Sequence, residues 1–192
     1  MKETAAPKSA RKSCLTNFEV FIETGKMIPT FIKSLKPHFN ISKINAHCDI
    51  PCKIYDPAIA LIGALSVVRM IDIMEETSNN SDLSSLEKNN ILARCIQKKE
   101  EEAERVKHEV RIIWGDFFKA PQLESHPDAH DITHQIMLTA SACKQGAKRG
   151  DAEELLNNVN LFAEIFWESK NITSERKICP YPPGLPVVYP VL

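Results

Sequence analysis

Four segments between residues 56 and 170 most limit the fold, because apolar residues recur in them at every third or fourth position. This spacing places apolar side chains on one face of an α-helix. The predicted helices cover 56 to about 77–82, 84 or 85 to past 114 with Pro121 closing the helix, 127 to 144–151, and 151 to about 170. Four amphipathic helices joined by short polar loops, with no convincing strand, predict an all-α, antiparallel four-helix bundle.

The fourth helix shows the pattern most clearly. Its predicted inward side chains are Leu155, Leu156, Val159, Phe162, Ile165 and Phe166.

The segments on either side of the bundle differ from it in charge and in proline content. Residues 1–46 hold eight Lys and Arg and three Glu, a net charge of +5, whereas residues 47–192 hold 16 basic and 22 acidic groups, a net charge of −6. A basic stretch before an acidic body is typical of a processed or targeting leader, so 1–46 is interpreted as a flexible leader that is cleaved. Five prolines within 180–192 predict that 171–192 form an extended, non-helical tail.

Charge and hydropathy also limit the partners. The longest apolar run, residues 58–68, is too short to span a bilayer, and the acidic body argues against nucleic acid as the main partner. We therefore expect a soluble, cytoplasmic protein with no membrane or nucleic-acid partner, unless the leader directs the chain to an organelle.

The sequence HCDIPCKIYDP, residues 47–57, lies ahead of the first predicted helix. Pro51 and Pro57 disfavour helix here, so Cys48 and Cys52 are expected on one compact turn next to His47. Thiolates and an imidazole are ligands for soft or borderline metals. From spacing alone, a metal or redox site and an ordinary loop remain equally good interpretations.

The other candidate ligands have simpler interpretations. Cys95 and Cys143 fall in predicted helices, where a buried reduced thiol is usual, and Cys14 and Cys179 fall in the terminal segments. His126, His130 and His134 recur at four-residue spacing and predict either a solvated face or, less favoured, a zinc or copper site. The sequence contains no glycine-rich phosphate loop and no HExxH motif.

Three blocks of the sequence, in order, resemble the nickel superoxide dismutase family. HCDIPC followed by IYDPA resembles the family's N-terminal hook, HCDxPCGxYDP. WGDFFKAPQLESHPDAH at 114–130 and EIFWESK at 164–170 resemble two later family segments. The resemblance covers residues 47 to about 170 and implies a four-helix bundle of this family.

The resemblance also implies a metal site and an activity. Cleavage before His47 by a processing peptidase would free an α-amine. That amine, the backbone amide of Cys48 and the thiolates of Cys48 and Cys52 would bind one nickel ion per chain in a plane. The His47 imidazole would be an axial ligand of the oxidised metal, and Tyr55 would screen the site. The implied reaction is the disproportionation of superoxide with Ni(II)/Ni(III) cycling, and the implied assembly is a homohexamer.

The sequence departs from the family pattern near this site. Lys53 replaces the glycine of the hook, and Phe117 replaces the family's second tyrosine. Gly63 stands where some members have a glutamate that braces the axial imidazole, and Glu102 stands near the position of its arginine partner. We therefore expect His47 to be held less firmly. These departures leave two alternatives open: a nickel- or zinc-binding bundle without dismutase activity, and a structural or interaction bundle.

Overall fold

The computed structural model describes residues 53–192. The predicted leader, 1–46, and the predicted ligands His47, Cys48 and Cys52 lie outside the described residues, so the predictions for them stay predictions. The helices and strands, in chain order, are α1 (Ala58–Asn79), α2 (Ser85–Ile112), a π-helical turn (Ile113–Phe117), α3 (Ala120–Ser125), α4 (Ala129–Gln145), α5 (Arg149–Ser169), β1 (Ser174–Ile178) and β2 (Pro186–Pro190).

The four long helices form the predicted bundle. Helix α1 packs against α2 and α5, and α4 packs against α2 and α5, so each long helix has two neighbours. Short connections make α1 and α2, and likewise α4 and α5, antiparallel. All six predicted inward side chains of α5 are buried, with Phe162 and Phe166 fully inaccessible. Burying this apolar face stabilises the bundle.

Local sequence signals fix the predicted start of α2. Ser84 and Glu87 form a capping box, in which the Ser84 hydroxyl accepts from the Glu87 backbone N–H and Glu87 accepts from the Ser84 backbone N–H. Each bond satisfies an N–H group that has no partner within the helix. Helix α1 ends at Asn79, inside the predicted range, and α5 begins at Arg149, two residues before its predicted start.

The predicted end of the second helix is wrong. Helix α2 ends at Ile112 and continues as the π-helical turn, which closes with a bond from the Phe118 N–H to the Ile113 carbonyl at 3.3 Å. Pro121 does not end this helix. It lies in the first turn of α3, where its missing N–H would have had no partner within the helix.

The prediction that no strand forms is wrong for residues 171–192. Strands β1 and β2 pair antiparallel, from Ser174 opposite Pro190 to Ile178 opposite Pro186, and form a hairpin. The hairpin packs on α5 and buries Val187 and Val188. The prolines of β2 stand at its two ends, the positions where a strand tolerates them best.

A buried lysine holds the end of α4. The Lys99 side chain of α2 is 2% exposed, and its ammonium donates to the backbone carbonyls of Cys143, of Lys144 at 3.2 Å and of Gly146 at 2.6 Å. The last carbonyls of a helix have no partners within it, so this cation satisfies them.

Within residues 53–192, no helix is both long enough and apolar enough to cross a membrane.

Candidate metal centre

The structure describes the predicted site only from Lys53 onward, so of the four predicted site residues it includes Tyr55. Asp56 fixes the point at which this segment enters α1. The Oδ1 atom of Asp56 accepts a hydrogen bond of 2.8 Å from the Ala58 N–H, and the Pro57 carbonyl accepts from the Leu61 N–H at 3.0 Å. Because Pro57 is fully buried, the chain is anchored two residues after Tyr55.

Tyr55 belongs to a cluster of aromatic rings built by the π-helical turn and α5. Its ring centroid lies 5.9 Å from that of Phe117, and the Phe117 centroid lies 4.8 Å from that of Phe166. Trp167 extends the cluster, with its centroid 4.9 Å from that of Phe166. Such tilted pairs stabilise beyond their buried area. Phe117, which carries no hydroxyl, thus supports Tyr55 by packing alone.

A lysine that the sequence interpretation missed lies over this cluster. The Lys170 ammonium is 4.9 Å from the Phe166 ring centroid, 5.7 Å from that of Trp167 and 5.8 Å from that of Phe117. These are cation–π distances. The four-residue spacing of Phe166 and Lys170 at the end of a helix was a usable signal, because such residues share a helix face.

Lys53 has the backbone conformation that glycine adopts easily. Its φ angle is 58°, and its side chain is exposed. A residue with a Cβ atom pays roughly 1–2 kcal/mol in this left-handed region. Lysine holds this conformation at a cost that glycine at the same position would avoid.

Gly63 and Glu102 meet at the contact between α1 and α2. Glu102 is 3% exposed, and its Oε1 atom pairs with the Lys98 ammonium at 2.6 Å and with the Arg105 guanidinium at 3.3 Å. Its buried Oε2 atom has no hydrogen-bond partner among the described residues and would lie 3.6 Å from a Cβ atom on Gly63. Position 63 on α1 has no side chain and therefore no carboxylate. The carboxylate at the contact between α1 and α2 is that of Glu102, which comes from α2. Whether His47 is held less firmly stays a prediction.

The three histidines of the alternative metal site are not brought together. His126 ends α3, whereas His130 and His134 lie in α4, and the Nδ1 atom of His130 accepts a hydrogen bond of 3.0 Å from the Trp114 indole N–H. In the part of the chain that the structure describes, no group of three or more His, Cys, Asp or Glu side chains could hold a metal ion.

The described cysteines are free, buried thiols: Cys95, Cys143 and Cys179. Burial raises the pKa of Cys143 to about 11, and the nearby Asp151 carboxylate adds to this effect. Burial also raises the pKa of Cys95. Both thiols are therefore neutral near pH 7 and poor nucleophiles.

The hairpin contributes residues near the start of α1 that the sequence interpretation did not anticipate. Tyr181 and Tyr189 line a pocket of about 130 Å³ together with Asp56 and Pro57. No spacing signal links these positions, because the hairpin brings them together across more than 120 residues of sequence.

The family of the chain follows from comparison with known proteins. Residues 42–170 match the family model described as nickel-containing superoxide dismutase. The chain belongs to this family. The match contains the whole hook and ends one residue after α5, so the hairpin lies outside it.

Relatives and solved structures agree with the assignment to the nickel superoxide dismutase family. The nickel superoxide dismutase of Streptomyces seoulensis is 36% identical over 128 residues, which cover 67% of this chain and 91% of the relative. That of Streptomyces coelicolor is 34% identical over 127 residues, which cover 66% and 90%. A native nickel superoxide dismutase structure at 1.30 Å resolution superposes with a TM-score of 0.56 at 34% identity, over 65% of this chain and 99% of the other.

Proposed function

We propose that this chain converts two superoxide anions into oxygen and hydrogen peroxide at one nickel ion held by His47, Cys48 and Cys52, after cleavage before His47. The observation that carries this proposal is the continuous match of residues 42–170 to the nickel superoxide dismutase family, because it includes the entire motif HCDIPCKIYDP. When bound there, nickel would supply one-electron redox chemistry between Ni(II) and Ni(III).

The donors in the motif suit this metal. Cys48 and Cys52 offer two thiolates, and His47 offers an imidazole and, once the chain is cut, an amine. Nitrogen and sulfur donors suit Ni(II), and anionic thiolate and amide donors would stabilise Ni(III). The chain therefore contains all the donors that the family site requires.

Cleavage is chemically necessary in this proposal. While Ala46 is attached, the His47 nitrogen is part of a peptide bond, and it has neither the charge nor the basicity of an amine. A peptidase must remove residues 1–46 before the site can form, so we expect the precursor to be inactive.

We assign Tyr55 the role of screening the metal from solvent. The support for this role is the aromatic cluster, because Phe117 packs against the Tyr55 ring and restricts its movement. Since Phe117 replaces the second tyrosine of the family pattern, the screening hydroxyl at these two positions comes from Tyr55 alone. For the assembled protein we propose a homohexamer, which sedimentation equilibrium of the cleaved chain would test.

Metal analysis and electron paramagnetic resonance of the chain that begins at His47 test the proposed site. We expect about one nickel ion per chain and a Ni(III) signal split by a nitrogen nucleus, as the His47 imidazole would cause. Cys52→Ser should lose the nickel and keep the helical circular dichroism of the bundle. Cys95→Ala, a change at a buried cysteine of α2, is the matched control and should keep both.

Other outcomes favour the alternatives. Zinc in place of nickel would indicate a metal-binding bundle without dismutase activity, the alternative that Lys53, Gly63 and Phe117 favour. Loss of the helical signal in Cys52→Ser would indicate a structural role for that cysteine.

A further inference from the structure

We propose that Lys53 and Lys170 form a pair of positive charges that draws the anionic substrate toward the site. This inference rests on the proposed function, because it requires that the substrate be superoxide. Tyr55 connects the two lysines: Lys53 lies two residues before it, and Lys170 lies over the Phe117 ring that packs against it.

The charge of the chain makes such a pair useful. Residues 47–192 carry a net charge of −6. Taken as a whole, a negatively charged body repels an anion and slows its approach. The positive charges of Lys53 and Lys170 would oppose this repulsion near the proposed metal site.

Lys170 is held in place by aromatic rings, with no carboxylate involved. Its ammonium contacts the rings of Phe166, Trp167 and Phe117, and it forms no ion pair with any carboxylate of residues 53–192. Its charge is therefore fixed in position and not neutralised by a neighbour. Lys170 is also the C-cap residue of α5, where a cation interacts favourably with the helix dipole. The test must therefore separate this structural role from attraction of the substrate.

Lys53 occupies a backbone position at which lysine is unfavourable. Its φ angle is 58°, its side chain is exposed, and it too has no carboxylate partner in the described part of the chain. It directly follows Cys52, a proposed nickel ligand. A strained residue next to a site suggests a functional use for its side chain, and what lysine adds over glycine here is a positive charge.

The ionic-strength dependence of kcat/KM tests this proposal, because salt screens the attraction of exposed charges for an anion. We expect kcat/KM of the nickel-loaded enzyme to fall as salt rises. In the double variant Lys53→Gly, Lys170→Gln, kcat/KM at low salt should be roughly two- to fivefold lower, and its salt dependence should vanish or reverse because the negative body remains.

Two control variants isolate the charge. Lys170→Arg keeps the cation over the rings and should keep the salt dependence of the parent enzyme. Lys88→Gln removes a partly exposed lysine near the start of α2, ~40 Å from the π-helical turn by helix geometry, and should leave kcat/KM and its salt dependence unchanged.

A second readout needs neither nickel nor activity. Iodoacetate is anionic and iodoacetamide is neutral, so the ratio of their alkylation rates at Cys48 and Cys52 reports the local charge. In the full nickel-free chain, followed by peptide mass spectrometry, we expect this ratio to fall roughly two- to fivefold in the double variant and to stay constant in Lys88→Gln. The described cysteines are buried and serve as internal references.

The outcomes separate this inference from the proposed function. An active parent enzyme whose salt dependence equals that of the double variant, or an unchanged alkylation ratio, would overturn the role of the two lysines and leave the proposed function intact. A nickel-loaded parent enzyme without dismutase activity would overturn the proposed function, and the alkylation ratio would then still decide whether the two lysines attract anions.

Discussion

Gly63 on α1 lies directly against Val106 on α2. A Cβ atom at position 63 would lie 2.9 Å from the Cγ2 atom of Val106, closer than two carbon atoms can approach without movement, and 3.4 Å from the Glu102 carbonyl oxygen. Val106 is fully buried and branched at Cβ, so it has little freedom to move away. The close packing of α1 on α2, near the start of α1, therefore depends on a glycine.

We expect Gly63→Ala to lower the free energy of unfolding by about 1–2 kcal/mol, because the cost of overpacking exceeds the gain in helix propensity. Urea unfolding measures this change. Gly150→Ala in α5 is the matched control: apart from its chain neighbours and the backbone of its own helix, nothing lies within 4 Å of the added Cβ, so stability should stay equal or rise slightly. Equal effects of the two substitutions would contradict the close contact.

Lys99→Met should destabilise the bundle by about 2–3 kcal/mol, because the carbonyls at the end of α4 lose the ammonium that satisfies them and remain buried. Thermal unfolding measures the loss. Lys88→Met removes a more exposed lysine of the same helix and should cost much less. A Lys99→Met protein as stable as Lys88→Met would show that the buried ammonium does not hold α4.

The buried thiol of Cys143 predicts how stability depends on pH. Its pKa is raised from 9.0 to about 11 in the folded chain, so the unfolded chain loses this proton first as pH rises. The protonated Cys143 thiol therefore contributes to the free energy of unfolding in full below about pH 9. This contribution is lost between pH 9 and 11, to a total of about 2–3 kcal/mol.

Urea unfolding of the parent chain and of Cys143→Ala at pH 7.5 and pH 10.5 measures this contribution. The parent should lose more stability over this interval than the variant. The two proteins differ only at position 143, so the difference between their losses reports this thiol. The same loss in both proteins would rule out Cys143 as the source.

Asn160 attaches the hairpin to α5. Its side-chain N–H donates to the Pro186 carbonyl at 3.0 Å, and its side-chain oxygen accepts from the Val188 N–H at 2.9 Å. Asn160→Ala should therefore cost about 2–3 kcal/mol and speed hydrogen exchange at the Val188 amide. Asn158→Ala, at a partly exposed position of the same helix, should leave that exchange unchanged. Unchanged protection of Val188 in Asn160→Ala would contradict this attachment.

Sequence periodicity was sufficient to predict the long helices but not the hairpin. In α5 the inward residues repeat at helical spacing, and all six are buried. Strand β2 buries the adjacent residues Val187 and Val188, without the alternation that usually marks a strand. Besides its pairing with β1, the strand is held on α5 by Asn160, 26 to 28 residues earlier, and no local pattern reports such a contact.

The candidate site, too, was predictable from the sequence only in part. The motif HCDIPCKIYDP names the proposed ligands because the donors are neighbours in sequence. The position of Lys170 over Phe117 was not predictable, because it depends on the π-helical turn, which adds a residue to the helical repeat and turns Phe117 toward α5.

The most direct measurement is the rate of superoxide decay with two chains that differ by one residue and have been incubated with nickel in the same way. One chain begins at His47, and the other keeps Ala46. We predict rapid decay with the first and only the background rate with the second, because Ala46 converts the His47 amine into an amide. Equal rates with both chains would contradict a nickel site that includes the amine of His47.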